Sequence, residues 1–234
     1  MVEISLPGMK MLYILGNWKS NKTTAEAVLW QQSFVKNLPP VLESITIILC
    51  PAFHHVPVFA HKSDAYVLGV QNISLFDAGA YTGEVAASMI KDDVTHVMIG
   101  HSERRKHFGE TDEIVAQKVK RAVAAGITPI VCVSSTGQAK QLSVLAPEFT
   151  NSGLILYEPL FAIGSGKSDS PENANAAAGE IQQIFPSAPI LYGGSVTHEN
   201  VKGFTDQPYL SGVGVGGASL DPDKFLSLIR AVLS

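Results

Sequence analysis

The sequence is short of cysteine, of positive charge and of long apolar runs, and each shortage excludes a class of protein. The two cysteines, Cys50 and Cys132, lie far apart inside apolar runs, so we expect reduced core residues and neither a disulfide nor a metal pair. A formal net charge of -4 without a basic block argues against nucleic acid as a partner. No apolar run approaches membrane-spanning length. These features predict a cytoplasmic protein without a membrane segment.

The first ten residues lack the features of a secretory signal peptide. They have no basic start and no apolar segment of the required length, and Met9 and Met11 are alternative starts. A chain of 234 residues suits one α/β barrel. We therefore predict an N-terminal extension or cloning scar over residues 1–10 and one catalytic barrel domain over residues 11–234.

Eight short apolar runs alternate with segments of helical pattern along the chain. Runs rich in Val, Ile, Leu and Tyr are typical of parallel strands that are covered on both faces. The near-even alternation predicts an α/β fold, a single-domain (β/α)8 TIM barrel with a closed, eight-stranded parallel sheet; an open doubly wound sheet is the alternative. The predicted strands are 11–16, 45–50, 66–70, 96–99, 128–133, 154–157, 190–192 and 210–215.

Two helix starts have strong local signals. Ser170-Pro171 and Asp221-Pro222 each combine an N-cap residue with a proline at the first helical position. A further helix is predicted from the acidic stretch 110–112 to Gly126, where glycine ends it.

In barrels of this type the active site lies at the carboxyl ends of the strands. The residues that follow the predicted strands should therefore meet on one face. They include a lysine, a histidine, two acids, several amides and two pairs of glycines, namely Asn17, Lys19, Gln71, Asn72, His101, Ser102, Glu103, Glu158, Gly193, Gly194, Ser195, Gly216 and Gly217.

Glu158 ends the sixth apolar run, and the loop after it has the composition of a lid. Pro159 ends the strand, and an apolar segment and the flexible Gly164-Ser165-Gly166 follow. Such a loop can fold over the carboxylate, exclude water from it and so make it a stronger base. Taken alone, a Glu-Pro pair is also explained as an acid that leads into a helix beside an ordinary loop.

The glycine pairs that end the last two strands favour a phosphate site. Loops at these two positions bind phosphate recurrently in this fold, and glycine lets the backbone approach an anion closely. Residues 217–220 could form a short helix whose N-terminus faces that anion. Each pair alone is equally explained as a turn, but together on one face they favour phosphate.

The polar residues on this face suit one reaction. Lys19 would neutralise an anionic substrate, although a lone lysine is usually a solvated surface residue. His101 is equally explained as a core histidine bonded to backbone. Otherwise its neutral ring would donate a hydrogen bond to a substrate carbonyl, and the positive end of a short helix over 102–105 would favour the neutral form. Asn17 is a neutral donor for the same oxygen, and Glu103 would support Lys19. Together with Glu158 as the base, these residues fit proton abstraction next to a carbonyl in a small phosphorylated sugar.

Several of these segments together resemble the triose-phosphate isomerase family. The resemblance implies interconversion of dihydroxyacetone phosphate and glyceraldehyde 3-phosphate in glycolysis and gluconeogenesis, without cofactor or metal. The alternatives are a divergent phosphate-binding TIM barrel and a non-catalytic barrel. The motifs are Asn-Trp-Lys (17–19), Gly-Ala-Tyr-Thr-Gly-Glu (79–84), Ile-Gly-His-Ser-Glu-Arg-Arg (99–105), Tyr-Glu-Pro (157–159), Ala-Ile-Gly-Ser-Gly-Lys (162–167), Tyr-Gly-Gly-Ser-Val (192–196) and Gly-Gly-Ala-Ser (216–219).

The resemblance also implies a role for each candidate residue. Glu158 moves a proton between neighbouring carbons, while neutral His101 polarises the carbonyl and shuttles protons between the oxygens. The negative charge is stabilised by Lys19 and Asn17, and residues 159–169 form the lid. The phosphate would bind backbone N–H groups, and further residues support the catalytic ones; these are Gly164, Ser195, Gly216 and Gly217 for phosphate and Ser102 and Glu103 for support.

The loop over residues 71–84 resembles the family's dimer loop. Its tip near Thr82 would reach Asn17 and Lys19 of the partner subunit, so a homodimer is expected. The chain is compact in the region 136–153, which leaves room for a tetramer.

This sequence departs from the family's pattern at several positions. Phe161 stands where the family usually has Trp, and Ser134-Ser135 where it has Gly-Glu; in the family that indole and that acid are hydrogen-bond partners at the lid hinge. The family's Asp at the end of the eighth strand is Ser211 here. Because the region 136–153 is short, we expect the family's usual helix after the fifth strand to be largely trimmed.

Overall fold

Eight parallel strands close into a barrel in the computed structural model, which describes residues 10–40, 44–60, 63–151, 153–164 and 166–234. Each strand pairs with its neighbour in the chain, and the first also pairs with the eighth. The predicted barrel is therefore confirmed, and the open sheet is excluded. The strands are β1 (Leu12–Asn17), β2 (Ile45–Cys50), β3 (Val67–Val70), β4 (His96–Ile99), β5 (Thr128–Val133), β6 (Leu154–Tyr157), β7 (Ile190–Gly193) and β8 (Gly212–Val215).

The barrel closes at a position that requires glycine. Gly212 lies opposite Tyr13 in the β1–β8 pairing and has φ 146°. A Cβ at this position would lie 2.0 Å from the Tyr13 carbonyl oxygen, so any side chain would separate the two strands. Of the predicted N-terminal extension, residues 1–9 lie outside the described part of the chain.

Helices cover the outside of the barrel, and two of them begin at the capping residues that the sequence indicates. Ser170 and Asp221 accept hydrogen bonds from the N–H groups of Asn173 and Asp223, which fixes the starts of two helices. The helices are α1 (Thr24–Asn37), α2 (Val56–Phe59), α3 (Ala87–Ile90), α4 (Ser102–Phe108), α5 (Asp112–Ala124), α6 (Thr136–Leu145), α7 (Pro171–Ile184), α8 (Val201–Thr205) and α9 (Pro222–Leu233). Short 3-10 turns occupy Phe53–His55, Pro147–Asn151, Leu160–Ala162 and Gly217–Leu220.

The expectation that the helix after the fifth strand is largely trimmed was wrong. The helix α6 has 10 residues and begins at a Ser135 cap, whose Oγ accepts from the Gln138 N–H at 3.2 Å. Its Ala139 and Leu142 are buried against the rest of the molecule. The region accommodates a full helix because a short 3-10 turn, and not a long loop, leads from it to β6.

Side chains along the strands alternate between two apolar layers, as the two-residue period of a strand requires. The larger layer lies between barrel and helices. The smaller layer includes Cys50 and Cys132, which are free and buried, as predicted. The barrel is therefore packed below its mouth, and chemistry is confined to the loops at the carboxyl ends of the strands.

Candidate active site

The loop between β1 and α1 holds Lys19 in a strained backbone conformation. Lys19 has φ 54°, a left-handed conformation that costs a residue other than glycine about 1–2 kcal/mol. Its N–H donates to Asn17 Oδ1 at 3.0 Å, and its carbonyl accepts from Gln71 Nε2 at 2.8 Å. The same Gln71 amide donates to the Cys50 carbonyl at 2.9 Å. The surrounding strands thus fix the backbone that carries the lysine.

The side chain of Lys19 pairs with Glu103, the contact expected from the sequence. The ammonium Nζ lies 2.5 Å from Glu103 Oε1. Partial burial acts to raise the pKa of Glu103, but the hydrogen bond from Lys19 and the neighbouring cations outweigh it and lower that pKa. Glu103 is therefore ionised at neutral pH, and it orients the ammonium at the barrel mouth.

The hydrogen bond that His101 accepts defines its protonation state. His101 is the N-cap residue of α4 and is buried, and its Nδ1 accepts from the Glu103 N–H at 3.2 Å. A ring nitrogen that accepts carries no proton, so the ring is neutral and its proton is on Nε2. That Nε2 lies 3.7 Å from Glu158 Oε2. A neutral N–H donor thus stands beside the candidate base.

Glu158 directly follows β6 and is almost completely buried, with 1% of its surface exposed. Its Oε2 accepts from Ser102 Oγ at 2.6 Å and from the Ser102 N–H at 3.3 Å. Its Oε1 is buried and accepts no hydrogen bond within the described residues. Burial, and then the charge of Glu158, raises the pKa of the Cys132 thiol, which stays protonated beside the carboxylate.

One cavity of about 290 Å³ at the barrel mouth joins these residues. Its volume suits a small molecule. Glycine-rich loops after β6, β7 and β8 form much of its wall, and the predicted short helix after β8 is the 3-10 turn Gly217–Leu220. All the residues predicted to act in catalysis or phosphate binding line this cavity: Asn17, Lys19, His101, Glu158, Gly164, Ser195, Gly216 and Gly217. Ser102 and Glu103 touch Glu158 and Lys19 from a neighbouring cavity.

Comparison with known proteins decides the family. The profile of the family described as Triosephosphate isomerase matches residues 12–232. The chain belongs to the triosephosphate isomerase family. The triosephosphate isomerase of Dehalococcoides mccartyi is 39% identical over 245 residues, which cover 95% of this chain and 96% of the relative. Those of Hahella chejuensis (38%, covering 96% and 100%) and Thermus thermophilus (37%, covering 95% and 99%) are similar over almost their whole lengths.

The lid that the triosephosphate isomerase resemblance implies borders the cavity at Gly164 but is exposed near its start. Leu160 and Phe161 leave 64% and 62% of their surfaces exposed. In the described part of the lid, Ser195 Oγ donates to the Ala162 carbonyl at 3.1 Å, the Asn200 amide donates to Ser168 Oγ at 3.5 Å, and the Asp169 N–H donates to the Tyr192 hydroxyl at 2.8 Å. Of the lid, residue 165 lies outside the described ranges. The remainder has the exposure of an open lid.

The two positions that differ from the triosephosphate isomerase pattern at the hinge have other neighbours here. Ser135 is used as the cap of α6, and the Ser134 N–H donates to Gln138 Oε1 at 2.8 Å. Phe161 is exposed, and a cavity of about 660 Å³ lies beneath Leu160, lined also by Ser134 and Gln138. At this hinge Leu160 therefore borders an open space, and Phe161 is exposed.

Three contacts in the site were not predicted from the sequence. Gln71 was noted only as a residue that ends a strand, yet it anchors the Lys19 carbonyl. Met98 places its Sδ 3.5 Å from Asn17 Nδ2, and the Tyr192 hydroxyl accepts from the lid. An amide at the carboxyl end of β3 is a usable signal for Gln71, whereas buried Met98 has no local signal.

In the ranges that the structure describes, no group of three or more His, Cys, Asp or Glu residues is arranged to hold a metal ion. No helix in that part of the chain has both the length and the hydropathy needed to cross a bilayer.

Proposed function

We propose that this chain interconverts dihydroxyacetone phosphate and D-glyceraldehyde 3-phosphate in the cytoplasm, as a step of glycolysis and gluconeogenesis. Membership of the triosephosphate isomerase family supports an isomerase acting on a triose phosphate. The observation that carries the proposal is the cavity at which Glu158, His101 and Lys19 meet from three different strand ends. A base, a neutral donor and a cation around one small molecule are what enolisation of a carbonyl compound requires.

Glu158 is proposed as the base. It takes a proton from the hydroxyl-bearing carbon of dihydroxyacetone phosphate, and the electrons of that C–H bond form the enediolate. It then returns the proton to the neighbouring carbon, which gives the aldehyde. Because Ser102 holds Oε2, the carboxylate has to leave this hydrogen bond before it reaches the substrate. Closure of the lid over the cavity supplies the dry environment in which the free carboxylate is a stronger base.

His101, Lys19 and Asn17 are proposed to stabilise the charge that forms. The Nε2–H of His101 donates to the carbonyl oxygen, and the ring then shuttles a proton between the two oxygens of the enediolate. Lys19 places a positive charge near the same oxygen, where a water-free site makes it effective. The Asn17 amide rests against the Met98 thioether, a weak acceptor that it can exchange for a substrate oxygen at little cost.

The phosphate is proposed to bind the backbone of the three glycine-rich loops. Gly164, Ser195, Gly216 and Gly217 line the cavity, and the 3-10 turn Gly217–Leu220 begins in its wall. A Cβ built on Gly216 would meet Lys19 Cε at 3.7 Å, so the lysine chain runs beside this loop. Lys19 is therefore placed to neutralise both the phosphate and the reacting oxygen.

A coupled assay of triose phosphate interconversion tests the proposal. We expect turnover from the wild-type protein in both directions, and near-complete loss in Glu158→Gln, which keeps the shape of the side chain but not the base. A folded wild-type protein that binds inorganic phosphate but does not interconvert the two sugars would favour a divergent or non-catalytic phosphate-binding barrel.

A homodimer is proposed from the loop 71–84, with a tetramer as a further possibility. Phe76 and Tyr81 stack on each other with ring centroids 4.2 Å apart, yet 42% and 44% of their surfaces are exposed. Arg121 holds the base of the loop through Asp77 at 2.7 Å. A stacked aromatic pair on a braced, projecting loop is well suited to insert into a second subunit, where it would brace Asn17 and Lys19 of the partner subunit.

Charge substitutions test the dimer. Phe76→Glu and Tyr81→Glu should give weakly active monomers in light scattering, because burying a carboxylate at an interface is unfavourable. The matched control is Leu29→Glu, which places the same charge at an exposed apolar residue of α1. A fully active monomer, in the wild type or in these variants, would contradict the proposed dimer.

A further inference from the structure

The turn that carries Lys19 contains a second strained residue. Among the described residues other than glycine, only Lys19 and Lys22 have positive φ, at 54° and 73°. They are three residues apart in the connection between β1 and α1. If the backbone relaxed at Lys22, the direction of the chain at Lys19 would change as well. A contact that keeps Lys22 in its strained conformation therefore also affects the position of the Lys19 ammonium.

His55, from another part of the barrel, makes such a contact. It ends the 3-10 turn after β2, is fully buried, and places Nε2 3.0 Å from the Lys22 carbonyl oxygen. A ring nitrogen beside a carbonyl oxygen carries the proton and donates it. The other ring nitrogen, Nδ1, is buried and has no partner in the described structure. The single N–H of the neutral His55 ring therefore donates to the Lys22 carbonyl.

Trp18 connects His55 to the site by packing. It stands between Asn17 and Lys19 in sequence, is 1% exposed, and meets the His55 ring edge-on with centroids 6.0 Å apart. The Asn21 amide donates to the Trp18 carbonyl at 2.7 Å and closes the turn. His55 therefore contacts both ends of the segment 18–22, one by a hydrogen bond and one by its ring.

We propose that His55 is a positioning residue for Lys19. By donating to the Lys22 carbonyl it keeps the strained turn in the conformation that directs the Lys19 ammonium into the cavity. His55 does not line the cavity and touches neither Lys19 nor the place of the substrate. The inference rests on the proposed function in one respect, because it takes Lys19 as the residue that binds the phosphorylated substrate.

Three variants separate the hydrogen bond from the packing. His55→Leu removes the donor, His55→Gln keeps an amide N–H at about the reach of Nε2, and His54→Leu changes the exposed neighbouring histidine. The measurements are kcat, KM, inhibition by inorganic phosphate, and melting temperature. In His55→Leu we expect kcat/KM to fall about tenfold or more and phosphate to inhibit more weakly. His55→Gln should recover most of the loss, and His54→Leu should match the wild type.

A substitution at the strained residue provides a second test that does not depend on how well His55→Leu folds. Glycine adopts positive φ without strain, so Lys22→Gly removes the need for a hold. We expect Lys22→Gly to stay active and to make activity insensitive to His55→Gln and His55→Leu.

The proposal is overturned if His55→Leu keeps kcat/KM within about twofold of the wild type. It is also overturned if His55→Leu and His55→Gln are equally impaired, or if Lys22→Gly leaves the effect of His55 unchanged. If the wild type has no isomerase activity, the proposed function fails. Inhibition is then replaced by direct titration with inorganic phosphate, which still tests whether His55 positions Lys19.

Discussion

Two loops at the mouth of the barrel are built in opposite ways. The loop over residues 17–23 has a buried Trp18 and a backbone that the Gln71 amide holds. The lid over residues 159–169 exposes Phe161, and hydrogen bonds join its Ala162 and Asp169 to the barrel. The comparison indicates a division of tasks: one loop fixes a charge, whereas the other covers and uncovers the reaction.

The backbone conformations of the two loops support this division. Lys19 and Lys22 adopt positive φ although lysine is strained there, so neighbouring groups have to hold them. Gly164 and Gly166 adopt positive φ, 66° and 74°, where glycine is unstrained. The first loop thus needs its surroundings in order to keep its shape, whereas the second changes shape at little cost.

The largest expected effect is at the centre of the braced loop. Lys19→Met should lower kcat/KM by about 10³-fold, because it removes the charge that serves both the phosphate and the reacting oxygen. The matched control is Lys22→Met, which removes the same charge three residues away in the same loop and should remain close to the wild type. If Lys19→Met binds and turns over substrate normally, the braced loop has no catalytic purpose.

A smaller loss is expected where the lid begins. Glu158→Asp keeps the charge but withdraws the carboxylate by about one carbon–carbon bond, and a misplacement of that size costs on the order of 10²-fold. The loss should be in kcat with the melting temperature little changed. Turnover near that of the wild type would remove Glu158 from its proposed role.

Removing the hydrogen bonds of Gln71 should make the loop over residues 17–23 more mobile. Gln71→Met removes two hydrogen bonds, to the carbonyls of Lys19 and Cys50, and should cost about tenfold in kcat/KM. Hydrogen exchange of residues 18–23 should rise in the variant. Unchanged exchange together with unchanged activity would show that the brace is not needed.

The smallest effect is expected at the lid hinge. Phe161→Trp alone should gain nothing, because its indole N–H finds no carboxylate at Ser135. The pair Phe161→Trp and Ser135→Glu should couple favourably, measured as lid opening rate and affinity for a phosphorylated enediolate analogue in a double-mutant cycle. Additive effects would mean that the two positions do not meet.

Strand positions were predictable because parallel strands covered on both faces read as continuous apolar runs. The predicted 45–50, 96–99, 128–133 and 154–157 coincide with β2, β4, β5 and β6. The eighth strand was predicted to start at Leu210 but starts at Gly212, since apolar burial alone does not distinguish a strand from its approach. The length of α6 was underestimated although Ser135 and Gln138 have the spacing of a capping box.

The sequence predicted which residues meet in the candidate site, but it did not predict the residues that hold them in position. The topology brings strand ends together, so Lys19, His101 and Glu158 were expected on one face before their distances were known. Gln71 and His55 contact backbone carbonyls that are distant in sequence. The position of Gln71 at a strand end indicates the site but not the carbonyl that it contacts, and His55 has no local signal. A residue that supports a strained turn can be recognised only when the three-dimensional structure of the turn is known.

The measurement that tests the central claim most directly follows the transferred hydrogen itself. The wild-type protein is incubated with dihydroxyacetone phosphate in deuterium oxide, and the recovered sugars are examined by NMR. If Glu158 abstracts a proton next to the carbonyl, deuterium should appear on carbon in both sugars, and Glu158→Gln should abolish it. If the wild type leaves every C–H bond unlabelled while it binds the substrate, the site is a phosphate-binding cavity without proton transfer.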